Sequence, residues 1–179
     1  MHPFMEKLWS PWRSRYIQSF GAPAEDASCF LCAAGQRGGE FREGLVVARG
    51  ATCFVVMNKF PYNAGHLMVA PKRHEGELEQ LTPEESTEMM TLIRHTSEVL
   101  RAAYSPHGLN VGANIGRAAG AGVPGHLHFH LVPRWNGDTN FMPVLADVKV
   151  VSESLEETRE RIAAVFAEKF PRLSVNSMP

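Results

Sequence analysis

The sequence lacks both a long hydrophobic run and an excess of either charge. No stretch approaches the roughly 18–20 apolar residues that cross a bilayer, and the N-terminal segment MHPFMEKLWSPWRSRYI has neither the apolar core nor the cleavage pattern of a signal peptide. The 18 basic and 19 acidic residues nearly cancel, so the composition favours neither nucleic acid nor a membrane surface as a partner. We therefore expect a cytoplasmic protein that binds anionic ligands through local groups.

Cysteine is scarce, which excludes a disulfide framework. The chain has three cysteines, an odd number, and two of them form the pair Cys29-x-x-Cys32. In a reducing compartment such a pair is typical of a metal site or a redox pair, and simple packing explains it as well. Cys53 lies in an apolar run, and we expect it in the core.

Internal repeats and low-complexity segments are also missing. A chain of 179 residues suits one domain that buries a sizeable core. We predict an N-terminal arm over residues 1–25, a domain over 26–170 and a C-terminal tail over 171–179. The arm contains Trp9 and Trp12, which we expect to pack at a dimer contact or against the core.

The hydrophobic pattern predicts an antiparallel sheet covered by two helices. Short apolar or β-branched segments between turn-forming residues predict strands over 45–49, 52–58, 66–70, 109–115 and 126–132. Thr82-Pro-Glu-Glu85 combines a capping box with proline at the first helical position, which predicts a helix from there to about Tyr104. Ser154-x-x-Glu157 begins a second predicted helix, whose inner face carries Ile162, Val165 and Phe166. The fold class is therefore α+β.

Three histidines alternate at positions 126, 128 and 130. In a strand, residues two apart share a face, so three imidazoles would line one side. They could be incidental on a solvated face, hold a metal ion, or supply a nucleophile for phosphorus with flanking histidines that handle protons. The preceding segment 116–125 favours the last interpretation, because its glycines leave backbone N–H groups free to bind phosphate oxygens.

The segment His126-Leu-His-Phe-His-Leu-Val132 resembles the signature motif of the histidine triad superfamily of nucleotidyl hydrolases and transferases. Asn58, followed eight residues later by His66, resembles that family's ribose-binding asparagine and fourth histidine. Segments 8–13 and 135–143 are similar to the diadenosine tetraphosphate phosphorylase and ATP adenylyltransferase-like branch. The resemblance covers about residues 8–170.

This resemblance implies a fold, an assembly and a reaction. The fold would be a five-stranded antiparallel sheet with a long central helix and a C-terminal helix, and two such sheets would adjoin in a homodimer. His128 would attack the α-phosphorus of a dinucleoside polyphosphate, aided by His126 and His130, to form a nucleotidyl-histidine intermediate. Inorganic phosphate would then take the nucleotide, so that diadenosine tetraphosphate yields ADP and ATP. No organic cofactor is implied.

The resemblance also implies a set of substrate-binding residues, namely Asn58, His66, Asn114, Gly120 and Gly122. Each asparagine has a plainer interpretation as a residue that forms a turn or ends a strand. An adenine base is implied by the resemblance alone. Its apolar pocket would be lined by residues such as Phe30, Leu31 or Phe54.

A structural zinc ion is a further implication. Galactose-1-phosphate uridylyltransferases and several bacterial triad proteins hold zinc with a Cys pair, a His after the third strand and the first His of the triad strand. The matching residues in this sequence are Cys29, Cys32, His74 and His126. In that arrangement His126 would brace the catalytic segment.

Two other functions remain open at this point. A hydrolase of dinucleoside polyphosphates or a nucleoside phosphoramidase would use water as the acceptor. The hydrolase branch has a Gln before the triad strand that this sequence lacks, while the phosphorylase-like branch often has Ser where this sequence has Ala121 and Gly122. A nucleotide-binding signalling module without catalysis would keep the same histidines.

Overall fold

The computed structural model describes residues 29–35, 44–138 and 153–173. The predicted arm over 1–25 lies outside these residues. The elements, in chain order, are α1 (Phe30–Gly35), β1 (Val46–Arg49), β2 (Cys53–Met57), β3 (Leu67–Pro71), α2 (Pro83–Tyr104), β4 (Gly108–Ala113), β5 (Phe129–Arg134) and α3 (Leu155–Lys169). Two short 3-10 turns lie at Leu78–Gln80 and Arg117–Ala119. In this part of the chain, no helix is both long and apolar enough to span a bilayer.

The five strands form one antiparallel sheet in the order β1-β2-β3-β5-β4. Every residue of β2 and β3 is buried, so both faces of these two strands are covered. Helix α2 packs across β2, β3 and β5, and α3 packs against α2 and β1. The predicted α+β fold with five antiparallel strands is confirmed.

Helix α2 begins and ends where its local signals predict. The Thr82 side chain accepts from the N–H of Glu85, and the Glu85 side chain accepts from the N–H of Thr82. Its apolar stripe of Met89, Leu92, Ile93, Val99 and Leu100 is buried against the sheet. The chain leaves the helix at Ser105, which has a left-handed φ of 45°.

Helix α3 has the second predicted capping box, formed by Ser154 and Glu157. Ile162 and Phe166 are fully buried, and Val165 packs against the core from a half-buried position. The carbonyl oxygen of Leu173 accepts from the N–H of Arg49 at 2.8 Å. Residues 171–173, which we assigned to the tail, therefore pack against the domain, and 174–179 lie outside the described residues.

The expectation that all three histidines lie on one strand was wrong. Strand β5 begins at Phe129, so His126 and His128 precede it. The reason is that the chain at Leu127 is bound elsewhere: its N–H donates to the carbonyl oxygen of Glu75 at 2.6 Å instead of joining the ladder with β3. The helix α1 was not predicted.

The turn between β1 and β2 is held by one carboxylate. Glu88, on α2, accepts from the N–H groups of Ala51, Thr52 and Cys53 and from the Thr52 hydroxyl. Burial raises the pKa of Glu88, but the four hydrogen bonds together lower it by more. The pKa therefore lies below its usual value. The sheet edge is thereby fastened to the long helix.

Replacing Glu88 with alanine should lower the free energy of unfolding by about 2–3 kcal/mol, because three backbone donors lose a charged acceptor. Urea denaturation followed by circular dichroism measures this loss. Glu98→Ala is the matched control, since it removes an exposed carboxylate from the same helix. An equal effect of both substitutions would contradict the role of Glu88.

Candidate active site and metal centre

His128 is held as a neutral imidazole with one free lone pair. It is 4% exposed, and its Nδ1 lies 2.7 Å from the carbonyl oxygen of His126. Because a carbonyl only accepts, Nδ1 carries the proton and Nε2 carries the lone pair. Burial lowers the pKa of His128, which keeps the ring neutral. The geometry of a nucleophilic imidazole is therefore present.

His130 lies beside His128 and belongs to the sheet itself. The two rings meet edge to face, with their centroids 4.9 Å apart. In the sheet His130 is opposite Met68 on one side and Gly112 on the other. Burial, together with the neighbouring His128, lowers the pKa of His130 to about 4. Both rings are thus neutral near pH 7.

His66 fixes the proton of His130. The N–H of Tyr62 donates to His66 Nδ1 at 3.1 Å, so the proton of His66 lies on Nε2. That Nε2 lies 2.9 Å from Nδ1 of His130, to which it donates. The proton of His130 therefore lies on its own Nε2, where it can be donated to a substrate oxygen.

The glycine-rich segment follows β4 directly. Ala113 is opposite Phe129 in the sheet, which places Asn114 beside the chain that carries His128. The amide nitrogen of Asn114 donates to the carbonyl oxygen of Gly120 at 3.4 Å. Gly116 and Gly120 have φ values of 76° and 85°, which residues with a side chain rarely adopt.

Asn58 forms a turn at the end of β2. Its amide oxygen accepts from the N–H of Phe60 at 2.8 Å, and its own N–H donates to the carbonyl oxygen of His66 at 3.0 Å. The second bond joins the two ends of the segment 58–66, which we call the His66 loop. The turn interpretation of Asn58 is confirmed, and its contact with a ribose stays a prediction.

A second cluster includes His126, two residues before His128. The Sγ atoms of Cys29 and Cys32 and the Nδ1 atoms of His74 and His126 all lie within 4.8 Å of one another. Cys32 Sγ is 3.1 Å from His74, and both sulfurs are 3.4 Å from His126. Zinc bonds of about 2.0–2.3 Å in a tetrahedron separate the ligand atoms by roughly 3.3–3.8 Å. The four side chains therefore fit a tetrahedral metal ion.

The lone pair of His126 faces this cluster. Its Nε2 donates to the carbonyl oxygen of Pro71 at 2.8 Å, which leaves Nδ1 unprotonated toward the cysteines. Burial lowers the pKa of His126 to about 4, so the ring is neutral, as metal binding requires. The same residue supplies its backbone carbonyl to His128. His126 therefore connects the two centres.

Two glycines allow the chain to approach this closely. A Cβ on Gly76 would lie 2.6 Å from the carbonyl oxygen of Pro124, and one on Gly125 would lie 3.1 Å from Nε2 of His74. Backbone is the obstacle at Gly76, so a side chain there would push away the segment that carries His126. The two centres thus depend on tight packing between segments 74–76 and 124–127.

The predicted base pocket is only partly available. Leu31 and Phe54 are fully buried in the core, so they cannot line an open pocket, whereas Phe30 is 39% exposed. The reason is that α1 turns Leu31 inward against β2. Of the three residues, Phe30 alone remains a candidate for contact with a base.

Some contacts at this site were missed at the sequence level. The N–H of Tyr62 and the carbonyl of Pro71 are backbone groups, and nothing in a sequence marks which carbonyl a histidine will meet. Asn63 and Asp138 contact each other at 2.9 Å, although 75 positions separate them. Asn63 lies between Asn58 and His66, and Asp138 lies in the segment 135–143. Their positions in these two family-like segments were the only signal in the sequence that they belong to the site.

Comparison with known proteins agrees with this geometry. The family model for the HIT domain matches residues 42–137, more than half of the chain. The chain belongs to the histidine triad family. The AP-4-A phosphorylase of Mycobacterium tuberculosis is a relative at 40% identity over 170 residues, which are 92% of this chain and 86% of that protein.

More distant members of the histidine triad family are also similar. The asymmetrical bis(5'-nucleosyl)-tetraphosphatase of Schizosaccharomyces pombe is 29% identical over 123 residues, which are 69% of this chain and 64% of that protein. The crystal structure of a zinc-bound histidine triad protein from Mycobacterium smegmatis has a TM-score of 0.65 at 26% identity. It covers 80% of this chain and 96% of its own.

The lowered pKa values of His128 and His130 predict at which pH these rings become protonated. Free imidazole takes up a proton near pH ~6.5; His128 should take up its proton at a lower pH than that, and His130 only near pH 4. Nitrogen-15 NMR of the imidazoles between pH 8 and 4 measures this directly. The urea-unfolded chain is the control, and native titration at the unfolded value would contradict the burial argument.

Proposed function

We propose that this protein is a diadenosine tetraphosphate phosphorylase that acts through a nucleotidyl-His128 intermediate. The observation that carries the proposal is the hydrogen bond from His128 Nδ1 to the His126 carbonyl, which leaves Nε2 free to attack phosphorus. The 40% identity to the AP-4-A phosphorylase, over most of both chains, supports the choice of substrate and of phosphate as the acceptor.

In the first step Nε2 of His128 attacks the α-phosphorus in line. A P–N bond forms, the anhydride bond to the β-phosphate breaks, and ATP leaves with the bonding electron pair. His130, with its proton on Nε2, donates a hydrogen bond to a phosphate oxygen and stabilises the charge that develops there. Asn58, Asn114, Gly120 and Gly122 are the proposed contacts to ribose and phosphates. His66, the other residue that the family resemblance implies, is 1% exposed and uses both ring nitrogens within the protein, so we assign it to the orientation of His130.

In the second step an oxygen of inorganic phosphate attacks the same phosphorus. A P–O bond forms, the P–N bond breaks and the electron pair returns to His128 Nε2, so the product is ADP and the imidazole is neutral again. Two in-line steps need the nucleophile to keep one orientation throughout. The carbonyl of His126 and the edge-to-face contact with His130 supply this constraint. No organic cofactor takes part.

A hydrolase is the second candidate. The relationship to the Schizosaccharomyces pombe tetraphosphatase favours it. Water would then replace phosphate in the second step and the product would be AMP. The first step and its intermediate would be unchanged, so the two candidates differ in the acceptor alone.

The test is product analysis by anion exchange after incubation with diadenosine tetraphosphate, with and without phosphate. We expect ADP and ATP to form only when phosphate is present. AMP and ATP formed without phosphate would assign the protein to the hydrolases. Absence of any product would contradict both candidates and favour a nucleoside phosphoramidase or a binding module.

His128→Asn should reduce product formation roughly a thousandfold or more, because the attacking lone pair is lost. It should also abolish the adenylyl label that the wild-type protein retains after denaturation at alkaline pH, where phosphoramidates survive. His107→Asn is the matched control, since it makes the same change at an exposed position outside the site.

The second centre is a proposed structural zinc site. Cys29, Cys32, His74 and His126 would hold the ion, and its bonds would fix the side chain of His126. Zinc here supplies rigidity, since all four ligand positions are filled by protein groups. The zinc-bound Mycobacterium smegmatis protein supports the choice of metal.

The purified protein should contain one zinc ion per chain, measured by plasma mass spectrometry. Cys32→Ser should remove most of it and lower the midpoint of thermal unfolding, because metal binding contributes to folding. Cys53→Ser is the control, since it changes a buried cysteine outside the cluster. Zinc content that is unchanged by Cys32→Ser would contradict the assignment.

The proposal extends to a homodimeric assembly and a cytoplasmic location. Among the described residues, strand β4 is an edge of the sheet, and Val111 and Ile115 are 49% and 39% exposed. Pairing with a second copy along this edge would cover unpaired backbone groups and these apolar side chains, as in the proposed homodimer. None of the three cysteines, all of which lie in the described residues, forms a disulfide, and this supports the cytoplasm as the location.

A further inference from the structure

The His66 loop controls which tautomer the neighbouring imidazoles adopt. Two arrangements of the bond between His66 and His130 are chemically allowed, since either ring can donate. If His130 donated from Nδ1, the proton of His66 would lie on Nδ1 and oppose the N–H of Tyr62. The 3.1 Å bond from Tyr62 therefore selects the arrangement in which His130 has its proton on Nε2.

Asn63 holds the loop in the conformation that makes this selection. Its backbone carbonyl accepts from the N–H of His66 at 3.2 Å. Its amide nitrogen donates to the carbonyl oxygen of Pro133 at 3.0 Å and to Asp138 Oδ2 at 2.9 Å. Asn63 thus joins the loop to the end of β5, the strand that carries His130.

Asp138 is itself held in a single orientation. Arg134 donates to it through Nε at 2.6 Å and Nη2 at 2.7 Å, and the N–H of Trp135 donates at 3.1 Å. The hydrogen bond from the Arg134 guanidinium holds the pKa of Asp138 well below its usual range. The N–H of Trp135 lowers this pKa as well, by a smaller amount. The side chain is 11% exposed, so it is a largely buried, charged acceptor for Asn63.

We propose that Asn63 and Asp138 are positioning residues for the phosphoryl-transfer site. They fix the His66 loop so that Tyr62 and His66 keep the proton of His130 on Nε2. Neither residue contacts the reacting atoms; they act through His66. The proposal rests on the proposed function, since it concerns the donor that His130 presents to the phosphate.

The primary test reads the tautomers directly, without substrate. Nitrogen-15 spectra of the zinc-loaded protein distinguish protonated from unprotonated imidazole nitrogens. We expect His66 to carry its proton on Nε2 in the wild type. In Asn63→Ala and Asp138→Asn we expect signals from the Nδ1-protonated form of His66 and from the matching form of His130.

Two controls separate positioning from general stability. Asn136→Ala makes the same change at an exposed asparagine two residues before Asp138. Thr82→Ala removes the N-cap of α2 and lowers stability at a position outside the loop. Neither should alter the tautomer of His66. Equal changes in Thr82→Ala, or unchanged tautomers in both test variants, would overturn the proposal.

Kinetics supply the second readout. With diadenosine tetraphosphate and phosphate, Asn63→Ala should lower kcat about tenfold with little change in KM, because the affected hydrogen bond acts on charge that develops in the transition state. A rise in KM alone would also overturn the proposal. If the wild-type protein turns over no dinucleotide while the tautomers shift as expected, the proposed function fails and the positioning role stands.

Discussion

The hydrogen bond between His128 Nδ1 and the carbonyl of His126 is the contact on which the site depends. It links residues two positions apart, at a point where the chain departs from the strand ladder. The bond from Leu127 to the Glu75 carbonyl produces that departure. A strand that began three residues earlier, at His126, would carry all three imidazoles on one face.

Backbone carbonyls and N–H groups assign the proton of each imidazole in this centre. Pro71 directs His126, His126 directs His128, and Tyr62 directs His66, which in turn directs His130. Burial lowers the pKa of three of these rings and keeps them neutral, so that each has one donor and one acceptor nitrogen. A chain of neutral imidazoles can hold defined tautomers, whereas a protonated ring would donate from both nitrogens and disrupt the pattern.

Glycines around the site allow two backbone segments to pack against each other at short distance. Segments 74–76 and 124–127 lie closer together than side chains permit, since a Cβ on Gly76 would lie 2.6 Å from a carbonyl oxygen. This close approach brings the candidate metal cluster and the segment that carries His128 together. The sequence showed glycines before the histidines and suggested phosphate binding as the reason. Gly125 has a different role, because a Cβ there would lie 3.1 Å from His74.

The sequence by itself determined the fold class, the two capped helices, the five strands and the grouping of Cys29 and Cys32 with His74 and His126. These features follow from local signals and from a family resemblance that covers nearly the whole chain. Only the tertiary structure decided that β5 begins at Phe129, that Leu31 and Phe54 are buried, and that Asp138 meets Asn63. Such contacts join residues far apart in the chain or involve backbone groups, which are alike at almost every position. Periodicity and motif spacing therefore do not specify which of these groups meet.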